Sequence, residues 1–374
     1  MTAGSAKSPS FFSSEVNGVN IDSLLSKLPE NVDAALITTP CNRRYFTGFA
    51  SSDGYLLVTR KGSVFYTDSR YIEAAGKQID CCEVVECKQV FAQIKEYLNG
   101  RNLKTVAVEA GGMTLSEFSR LQNNENMKDF EFVSDGSLDE AVNVLRMVKS
   151  ECETEKIIQA QEIAENAFLY ILDFIRKGRT EKEIQLELDF YMLKNGAEAL
   201  SFDTIAVSGV NSSMPHGVPS DKVVEDGDFI TMDFGAVVDG YHSDMTRTVA
   251  VGTVSDEQRL VYETVLKAQT ASLDVIRAGV SCFDADKAAR DVIENAGYGE
   301  YFGHGTGHGV GVEIHELPNL SPRSSMILEK GNIVTVEPGI YLPGKFGVRI
   351  EDMVFVTESG CKNLTKSQKS LIVL

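Results

Sequence analysis

The stretch ITMDFGAVVDGYHSDMTRT, residues 230–248, contains the pattern on which the fold prediction rests. An apolar run leads up to Asp239 and Gly240, and a run rich in threonine follows them. Asp-Gly between two such runs is typical of a type I′ turn that joins antiparallel strands. We therefore predict a β-hairpin whose two loop residues are Asp239 and Gly240.

Two acids interrupt this predicted hairpin. Its register places Asp233 opposite Thr246 and Asp244 opposite Gly235. The two carboxylates then lie diagonally on one face, within roughly 7–8 Å of each other. Unpaired carboxylates at that separation repel each other and lose solvation, so such a pair marks a bound cation or a shared proton. The alternative is an exposed edge hairpin whose acids are solvated, and this spacing alone does not decide between the two.

Length and charge restrict the class of protein. A chain of 374 residues predicts two domains, and a hydrophobic fraction of 43% with 24% charged residues is typical of globular proteins with real cores. The sequence contains 54 acids and 36 bases, so its net charge is −18. This charge argues against nucleic acid or an anionic membrane surface as the partner.

The cysteines and the N-terminal residues indicate a cellular compartment. Seven cysteines are an odd number, and they show no paired C-x-x-C spacing in a chain too long to need disulfides. Residues 1–20 are rich in Ser and Gly and lack the basic start and apolar core of a signal peptide, so we expect a disordered tail. No run reaches the ~18 apolar residues of a membrane span. These features predict a cytoplasmic protein with reduced thiols.

Residues 21–137 have the pattern of a small α/β domain. Strand-like runs such as AALITT, GYLLVT, GSVFYT and TVAVEA alternate with helical patterns such as QVFAQIKEYLN.

Residues 138–374 form the predicted second domain, in which a helix pair followed by strands occurs twice. Helix starts are indicated by capping residues at Ser150, Thr180, Ser255 and Ser281. This order predicts α+β packing with helices on one side of an antiparallel sheet.

A second acid pair lies in the matching half of this repeat. In NIVTVEPGIYLPGKFGVRIEDMVFV, residues 332–356, strand-like runs surround Pro343-Gly344, a turn signal. Glu337 and Glu351 lie symmetrically about that turn, so a simple hairpin brings them opposite each other. Two buried acid pairs in matching positions are hard to explain as two accidents.

The histidines are clustered as well. All five lie between residues 216 and 315, and three of them are in FGHGTGHGVGVEIHE, residues 302–316, where glycines allow the backbone to approach a ligand closely. The glycine spacing does not match a Rossmann fingerprint, and HELP does not extend to the H-E-x-x-H of a zinc protease.

Four carboxylates and one imidazole suit two divalent ions, because four negative charges balance the pair. Oxygen-rich ligation favours Mn²⁺, Co²⁺ or Fe²⁺, with Zn²⁺ as an alternative. Two ions roughly 3.5–4 Å apart suit hydrolysis, because the water between them is acidified to hydroxide.

The motifs MPHG, MDFG, SDMTRT, GTGHGVG, EIHE, VEPGIY and GVRIEDMV together resemble the metallopeptidases of the pita-bread fold. That family includes methionine aminopeptidase, Xaa-Pro aminopeptidase and Xaa-Pro dipeptidase. The resemblance extends from about residue 20 to the end, and it implies a creatinase-like α/β N-terminal domain followed by an α+β pita-bread catalytic domain. The additional N-terminal domain, with NRRYFTGF and TDSRYIEAA, resembles the proline-specific branch, whose members are typically dimers.

The resemblance also implies a role for each site residue. Asp244 and Glu351 would bridge two metal ions, and Glu337 would also move the proton of the bridging water. The full set of implied metal ligands is Asp233, Asp244, His308, Glu337 and Glu351.

Four further residues match positions outside the metal cage. By resemblance, His216 and His315 would stabilise the oxyanion or the scissile amide. His304 matches a substrate-contacting histidine, and Arg349 matches a residue that supports the site, so both are predicted to bind substrate. His242 matches no family role, and we expect a solvated turn residue there.

Three functions remain open at this point. The first is a dinuclear, manganese-dependent Xaa-Pro aminopeptidase, a homodimer that acts on small peptides with proline at the second position. The second is Xaa-Pro dipeptidase, which shares the metal cage and differs in whether chain beyond the proline is tolerated. The third is a pita-bread binding protein without metals, which the intact set of five ligand positions makes the weakest alternative.

Overall fold

The computed structural model describes residues 15–16 and 19–374. Its strands are β1 (Glu15–Val16), β2 (Val19–Asn20), β3 (Ala34–Ile37), β4 (Tyr55–Thr59), β5 (Gly62–Thr67), β6 (Glu83–Glu86), β7 (Thr105–Val108), β8 (Glu131–Val133), β9 (Ala199–Leu200), β10 (Ile205–Ser208), β11 (Phe229–Phe234), β12 (Ala236–Val238), β13 (Tyr241–His242), β14 (Met245–Ala250), β15 (Gly307–Gly309), β16 (Glu316–Leu320), β17 (Ile333–Val336), β18 (Gly339–Leu342), β19 (Phe346–Arg349), β20 (Asp352–Val356) and β21 (Cys361–Asn363). Its α-helices are α1 (Pro40–Thr47), α2 (Ile72–Gln78), α3 (Val90–Asn99), α4 (Leu115–Gln122), α5 (Ser137–Met147), α6 (Glu151–Phe174), α7 (Glu181–Lys194), α8 (Asp256–Val275) and α9 (Cys282–Asn295).

The chain divides into two compact units, Met1–Leu145 and Arg146–Leu374. The sequence boundary predicted after residue 137 lies earlier, where α5 begins. Part of the predicted tail, residues 1–20, is also ordered, because β1 pairs with β2 and Val16 lies opposite Val19. Asn-Gly between those valines is a hairpin signal in the sequence. The rest of that tail, residues 1–14 and 17–18, lies outside the described residues.

The first unit contains a six-stranded sheet in the order β6-β5-β4-β3-β7-β8. β7 runs parallel to its two neighbours, β3 and β8, and β4 runs antiparallel to both β3 and β5. The predicted α/β class is confirmed, and each strand-like run quoted from this part of the sequence forms a strand.

The second unit repeats one arrangement twice. The pair α6 and α7 precedes β9 to β14, and the pair α8 and α9 precedes β15 to β21. Every pairing between two of these strands is antiparallel among the described residues, and an isolated parallel bridge joins Ala250 of β14 to Val373. Apolar residues of α6 and α7 pack on β11 and β14, and those of α8 and α9 pack partly on β18 and β19. The α+β prediction is therefore confirmed.

The four predicted helix starts are also confirmed. The hydroxyls of Ser150, Thr180 and Ser255 each accept the backbone N–H three residues later, and that residue's side chain returns to the cap. The hydroxyl of Ser281 accepts a hydrogen bond from the backbone N–H of Asp284. These caps satisfy N–H groups that a helix leaves unpaired at its first turn.

The first hairpin has the predicted register. Asp233 lies opposite Thr246, and Phe234 lies opposite Met245. Asp239 and Gly240 have φ values of 51° and 84°, as a type I′ turn requires.

Alternation along this hairpin explains why acids lie inside it. Ile230, Met232 and Phe234 point into the core beneath α6 and α7. Because side chains alternate between the two faces of a strand, Asp233 points to the opposite face. On that face the ring of Phe229 lies 5.5 Å from that of Phe346 in β19, so the second hairpin covers it.

The second hairpin follows the same rule. Val336 lies opposite Asp352 and Gly339 lies opposite Arg349, so this register brings Glu337 opposite Glu351, as predicted. Their apolar neighbours Val334, Val336, Val354 and Val356 belong to a separate core under α9 and β16.

No helix in the described part of the chain is both long and apolar enough to cross a membrane.

Two glycines, one in the turn between β18 and β19 and one in β15, should respond differently to the same substitution. Gly344 has φ of 74° and open space around its Cα, so Gly344→Ala should lower the free energy of unfolding by about 1 kcal/mol through backbone strain alone. A Cβ on Gly307 would overlap the carbonyl oxygen of Thr335 in β17. Because that backbone atom is fixed in a sheet, Gly307→Ala should cost about 3 kcal/mol or more. Denaturant unfolding compares them, and equal losses would contradict the close approach of β15 and β17.

Candidate active site

The candidate site lies between the two hairpins of the second unit. The backbone N–H of Glu351 donates to the carbonyl of Thr246 at 3.1 Å, and the hydroxyl of Thr248 donates to the carbonyl of Arg349 at 3.0 Å. The segment 349–351 therefore runs beside β14. This contact brings the acids of both hairpins to one place.

His308 reaches the acids from β15, where glycines on both sides allow close approach to neighbouring strands. Its Nδ1–H donates to the carbonyl of Gly309 at 3.0 Å, so Nε2 is left with its lone pair. That Nε2 lies 3.6 Å from Oδ2 of Asp244 and 3.4 Å from Oε1 of Glu337. Burial lowers the pKa of His308 to about 4, so the ring is neutral at pH 7 and suited to bind a metal ion.

Three of the five predicted ligands have donor atoms that all lie within 4.8 Å of one another: Asp244, His308 and Glu351. The other two are beside them. Glu337 contacts His308, and Asp233 raises the pKa of Asp244 through its charge. All five predicted ligand positions therefore meet in one place.

Two buried carboxylate oxygens in this cluster have no hydrogen-bond partner among the described residues. They are Oδ1 of Asp233 and Oε1 of Glu351. Buried polar atoms are almost always satisfied in native proteins. A carboxylate oxygen without a donor is what a bound cation would satisfy, so the residues present fit divalent metal ions.

The pKa values of the acids show the same excess of negative charge. Burial, together with the charges of Glu351, Asp233 and Glu337, raises the pKa of Asp244 well above its ordinary value. Burial and the charges of neighbouring acids likewise raise the pKa of Glu351. Burial, partly offset by Arg349, raises the pKa of Glu337 to about 8. Bound cations would favour the ionised forms instead.

Arg349 is the buried cation of the cluster. Its Nη2 donates to Oδ2 of Asp233 at 2.6 Å, and its Nε donates to the hydroxyl of Thr246 at 3.0 Å. Its Nη1 donates to the hydroxyl of Tyr341 at 2.9 Å and to the carbonyl of Pro215 at 3.2 Å. Each nitrogen already has a protein partner, so the geometry favours a supporting role for Arg349.

His304 is connected to Arg349 through Tyr341. Nδ1 of His304 donates to the carbonyl of Gly305 at 2.8 Å, and burial lowers its pKa to about 4. The neutral ring therefore accepts a hydrogen bond at Nε2 from the hydroxyl of Tyr341, at 2.9 Å. A hydrogen-bonded chain runs from Asp233 through Arg349 and Tyr341 to His304.

A cavity of about 920 Å³ opens onto the acids. His216 and His315 are exposed side chains in its wall, and the ring of His315 lies 4.4 Å from that of His308. Further lining residues are Lys182, Gln185, Asp203, Val218, His304, Asn319 and Arg349. All predicted site residues except Glu351 line this cavity, and Glu351 is 1% exposed at the hairpin contact.

One expectation is corrected. His242 is not a solvated turn residue, because it lies in β13, opposite Val237. Its Nδ1 is 2.9 Å from the hydroxyl of Ser201, and its backbone N–H donates to the carbonyl of Gly311. The hairpin continues in pairs directly after its two-residue turn, which leaves His242 within the sheet.

Three residues of the site were not identified from sequence. Thr246 donates to Oε2 of Glu351 at 2.7 Å, and Thr335 donates to Oε1 of Glu337 at 3.2 Å. Tyr341 joins Arg349 to His304. The two threonines could have been identified from sequence, because each lies two residues from an acid of the site and therefore on the same face of its strand.

Comparisons with known proteins agree with this geometry. Residues 155–358 match the model of metallopeptidase family M24, and residues 23–148 match the creatinase/prolidase N-terminal domain. The Xaa-Pro dipeptidase of Pyrococcus furiosus is 38% identical over 94% of this chain and 99% of its own length.

Solved structures give the same result. A Xaa-Pro dipeptidase from Bacillus anthracis superposes with a TM-score of 0.90 at 44% identity, over 95% of this chain and 99% of that chain. An X-Pro aminopeptidase from Thermotoga maritima gives 0.86 at 43% identity, over 92% and 98%. The chain belongs to metallopeptidase family M24 and has the pita-bread fold, preceded by a creatinase/prolidase N-terminal domain.

Proposed function

We propose that this metallopeptidase is a Xaa-Pro aminopeptidase that uses two divalent ions. The observation that carries the proposal is the convergence of unsatisfied carboxylate oxygens and the Nε2 lone pair of His308 beside a large cavity. Asp233, Asp244, His308, Glu337 and Glu351 would be the metal ligands, with Asp244 and Glu351 shared between the ions. The ions would acidify a water molecule and stabilise the negative charge of the tetrahedral intermediate.

The remaining steps belong to side chains of the cavity. Glu337 would accept the proton of the attacking water and deliver it to the leaving nitrogen, because a carboxylate beside the attacking water is placed to carry a proton. His315 and His216 would donate hydrogen bonds to the scissile amide as its oxygen gains charge. Arg349 would keep Asp233 in place. His304, oriented by Tyr341, would contact the substrate.

Two observations support an aminopeptidase. The cavity volume of about 920 Å³ is near the upper end of the roughly 300–1,000 Å³ typical of ligand sites, which leaves room for chain beyond the proline. A dipeptidase must also bind the proline carboxylate, and the guanidinium of Arg349 is already occupied.

The second candidate is Xaa-Pro dipeptidase, the name of the relatives from Pyrococcus furiosus and Bacillus anthracis. Lys182 favours it, because this exposed lysine lines the cavity and could bind a substrate carboxylate. Manganese, a homodimer and a cytoplasmic location remain predictions within both candidates. The cytoplasmic location is supported by the seven cysteines, none of which forms a disulfide.

Metal binding should stabilise the protein more at pH 8 than at pH 6. Without metal, the folded state has a raised pKa of about 8 at Glu337, so it binds more protons than the unfolded state between about pH 4.5 and 8. The free energy of unfolding of the EDTA-treated protein therefore falls as pH rises through this window. Mn²⁺ would replace those protons, and thermal unfolding with and without Mn²⁺ measures the difference. An equal Mn²⁺ effect at both pH values, or the same pH dependence in Glu337→Gln, would contradict the acid cluster.

Asp244→Asn should abolish nearly all turnover and release at least one ion, because a shared ligand loses its charge. Asp203→Asn is the matched control, since Asp203 is an exposed acid of the same cavity outside the ligand cluster. Metal analysis and peptide hydrolysis by both variants give the comparison. Two bound ions and full turnover in Asp244→Asn would show that this carboxylate is not a ligand.

Substrate length separates the two candidates. We expect Ala-Pro-Ala to be cleaved at least as efficiently as Ala-Pro, and Ala-Ala-Ala to be cleaved poorly. Lys182→Met should leave KM for Ala-Pro unchanged if the enzyme is an aminopeptidase. Turnover of the dipeptide alone, with a KM that rises in Lys182→Met, would establish the dipeptidase instead.

A further inference from the structure

The loop that carries His315, residues 311–315, should lose much conformational entropy when it is fixed in one conformation. It begins at Gly311 and passes through residues 312–315 without regular secondary structure before β16 begins. Glycine and irregular backbone lose much conformational entropy when they are fixed. A side chain that must meet a substrate amide to within a fraction of an ångström therefore needs a specific support here.

A buried ion cluster lies directly beneath this loop. The residue after His315 is Glu316, whose side chain is 3% exposed. Its Oε1 accepts hydrogen bonds from Nη2 and Nε of Arg146, at 2.6 and 3.2 Å, and its Oε2 accepts one from Nζ of Lys149 at 2.9 Å. Nη2 of Arg146 also donates to Oε2 of Glu313 at 2.6 Å. One guanidinium thus binds the residues on both sides of Ile314 and His315.

The loop backbone closes on the same carboxylate. The backbone N–H of Glu313 donates to Oε1 of Glu316 at 3.1 Å, and that of Gly311 donates to the carbonyl of Glu313 at 3.1 Å. A Cβ at Gly311 would overlap the carboxylate of Glu316, so the backbone passes in direct contact with it. The segment 313–316 is therefore tied at both ends to one buried group.

In this cluster each buried cation, Arg146 and Lys149, lies against the carboxylate of Glu316. Replacing a buried ion pair by apolar residues is often neutral or stabilising, so stability alone is weak support for such a cluster. Apolar residues would not fix the orientation of the loop. The planar guanidinium does so, because it holds two carboxylates at set distances and angles.

We propose that Arg146 is a positioning residue for His315: its fork to Glu313 and Glu316 sets where the His315 ring lies beside His308. This inference rests on the proposed role of His315 in the reaction. Arg146 does not line the cavity or touch the substrate site, so its effect on catalysis would pass through the loop.

A second ion pair, between Asp286 and Arg290 beside His304, provides a matched comparison. Oδ1 of Asp286 accepts the backbone N–H of Thr306 at 3.0 Å, and Nη2 of Arg290 donates both to that oxygen and, at 2.8 Å, to the carbonyl of His304. This pair fixes the backbone on which His304 lies. Its hydrogen bonds go to Phe302, His304 and Thr306 rather than to Glu313 or Glu316.

The test is a double-mutant cycle on the Mn²⁺-loaded enzyme with Ala-Pro-Ala. Arg146→Lys retains a cation but loses the fork, and Lys149 still compensates Glu316. We expect kcat to fall by roughly tenfold to a hundredfold with KM and metal content nearly unchanged. In the His315→Ala background the same change should lower kcat by less than about twofold, because the group it positions is gone. Arg290→Lys should lower kcat by the same factor in both backgrounds.

The outcomes separate this inference from the proposed function. If Arg146→Lys lowers kcat equally in both backgrounds, or releases metal, the cluster is merely structural and the inference is overturned while the role of His315 stands. If His315→Ala alone leaves kcat unchanged, both this inference and the proposed role of His315 are overturned. Should Arg146→Lys fail to fold, Glu313→Ala removes one of the two acceptors of Arg146 at a half-exposed side chain. The same loss of effect in the His315→Ala background is then expected, and additivity would overturn the inference.

Discussion

Repulsion among four carboxylates is the constraint on which the second unit depends. Asp233, Asp244, Glu337 and Glu351 come together between the two hairpins, and the buried guanidinium of Arg349 lies against Asp233. Such an arrangement is unfavourable as it stands and becomes favourable when divalent cations bind. The unbalanced charge of the four carboxylates therefore favours bound metal ions. Metallopeptidases, the class to which family M24 belongs, use such ions for hydrolysis.

The strand period makes this arrangement possible. One face of each hairpin is apolar and lies in a helix-covered core, and the other face holds the acids and threonines that meet at the hairpin contact. A shift of register by one residue would exchange the two faces and place carboxylates under the helices. The turn at Asp239 and Gly240 and its counterpart at Gly344 therefore determine the chemistry of the site as well as the shape of the sheet.

Much of this could be predicted from sequence because it is encoded locally. Asp-Gly determined the first register, the capping residues located the helices, and the histidines on the glycine-rich segment marked the site. Two of the residues that were missed have partners far away in the chain. Tyr341 joins Arg349 to His304, which is 37 positions away, and Arg146 reaches Glu316 across 170 positions. Nothing near a tyrosine or an arginine in the sequence indicates such partners, so only the folded chain identifies them. His242 was wrongly predicted to be a solvated turn residue. Strand pairing resumes directly after the two-residue turn, and this keeps His242 in the sheet.

Anomalous X-ray diffraction from crystals of the Mn²⁺-loaded enzyme, measured at the manganese absorption edge, tests the central claim most directly. The charge balance predicts two anomalous peaks, roughly 3.5–4 Å apart. Both should lie within coordination distance of Asp244 and Glu351, with His308 beside one of them and Asp233 beside the other. A single peak, or two peaks that do not share these two carboxylates, would contradict the account.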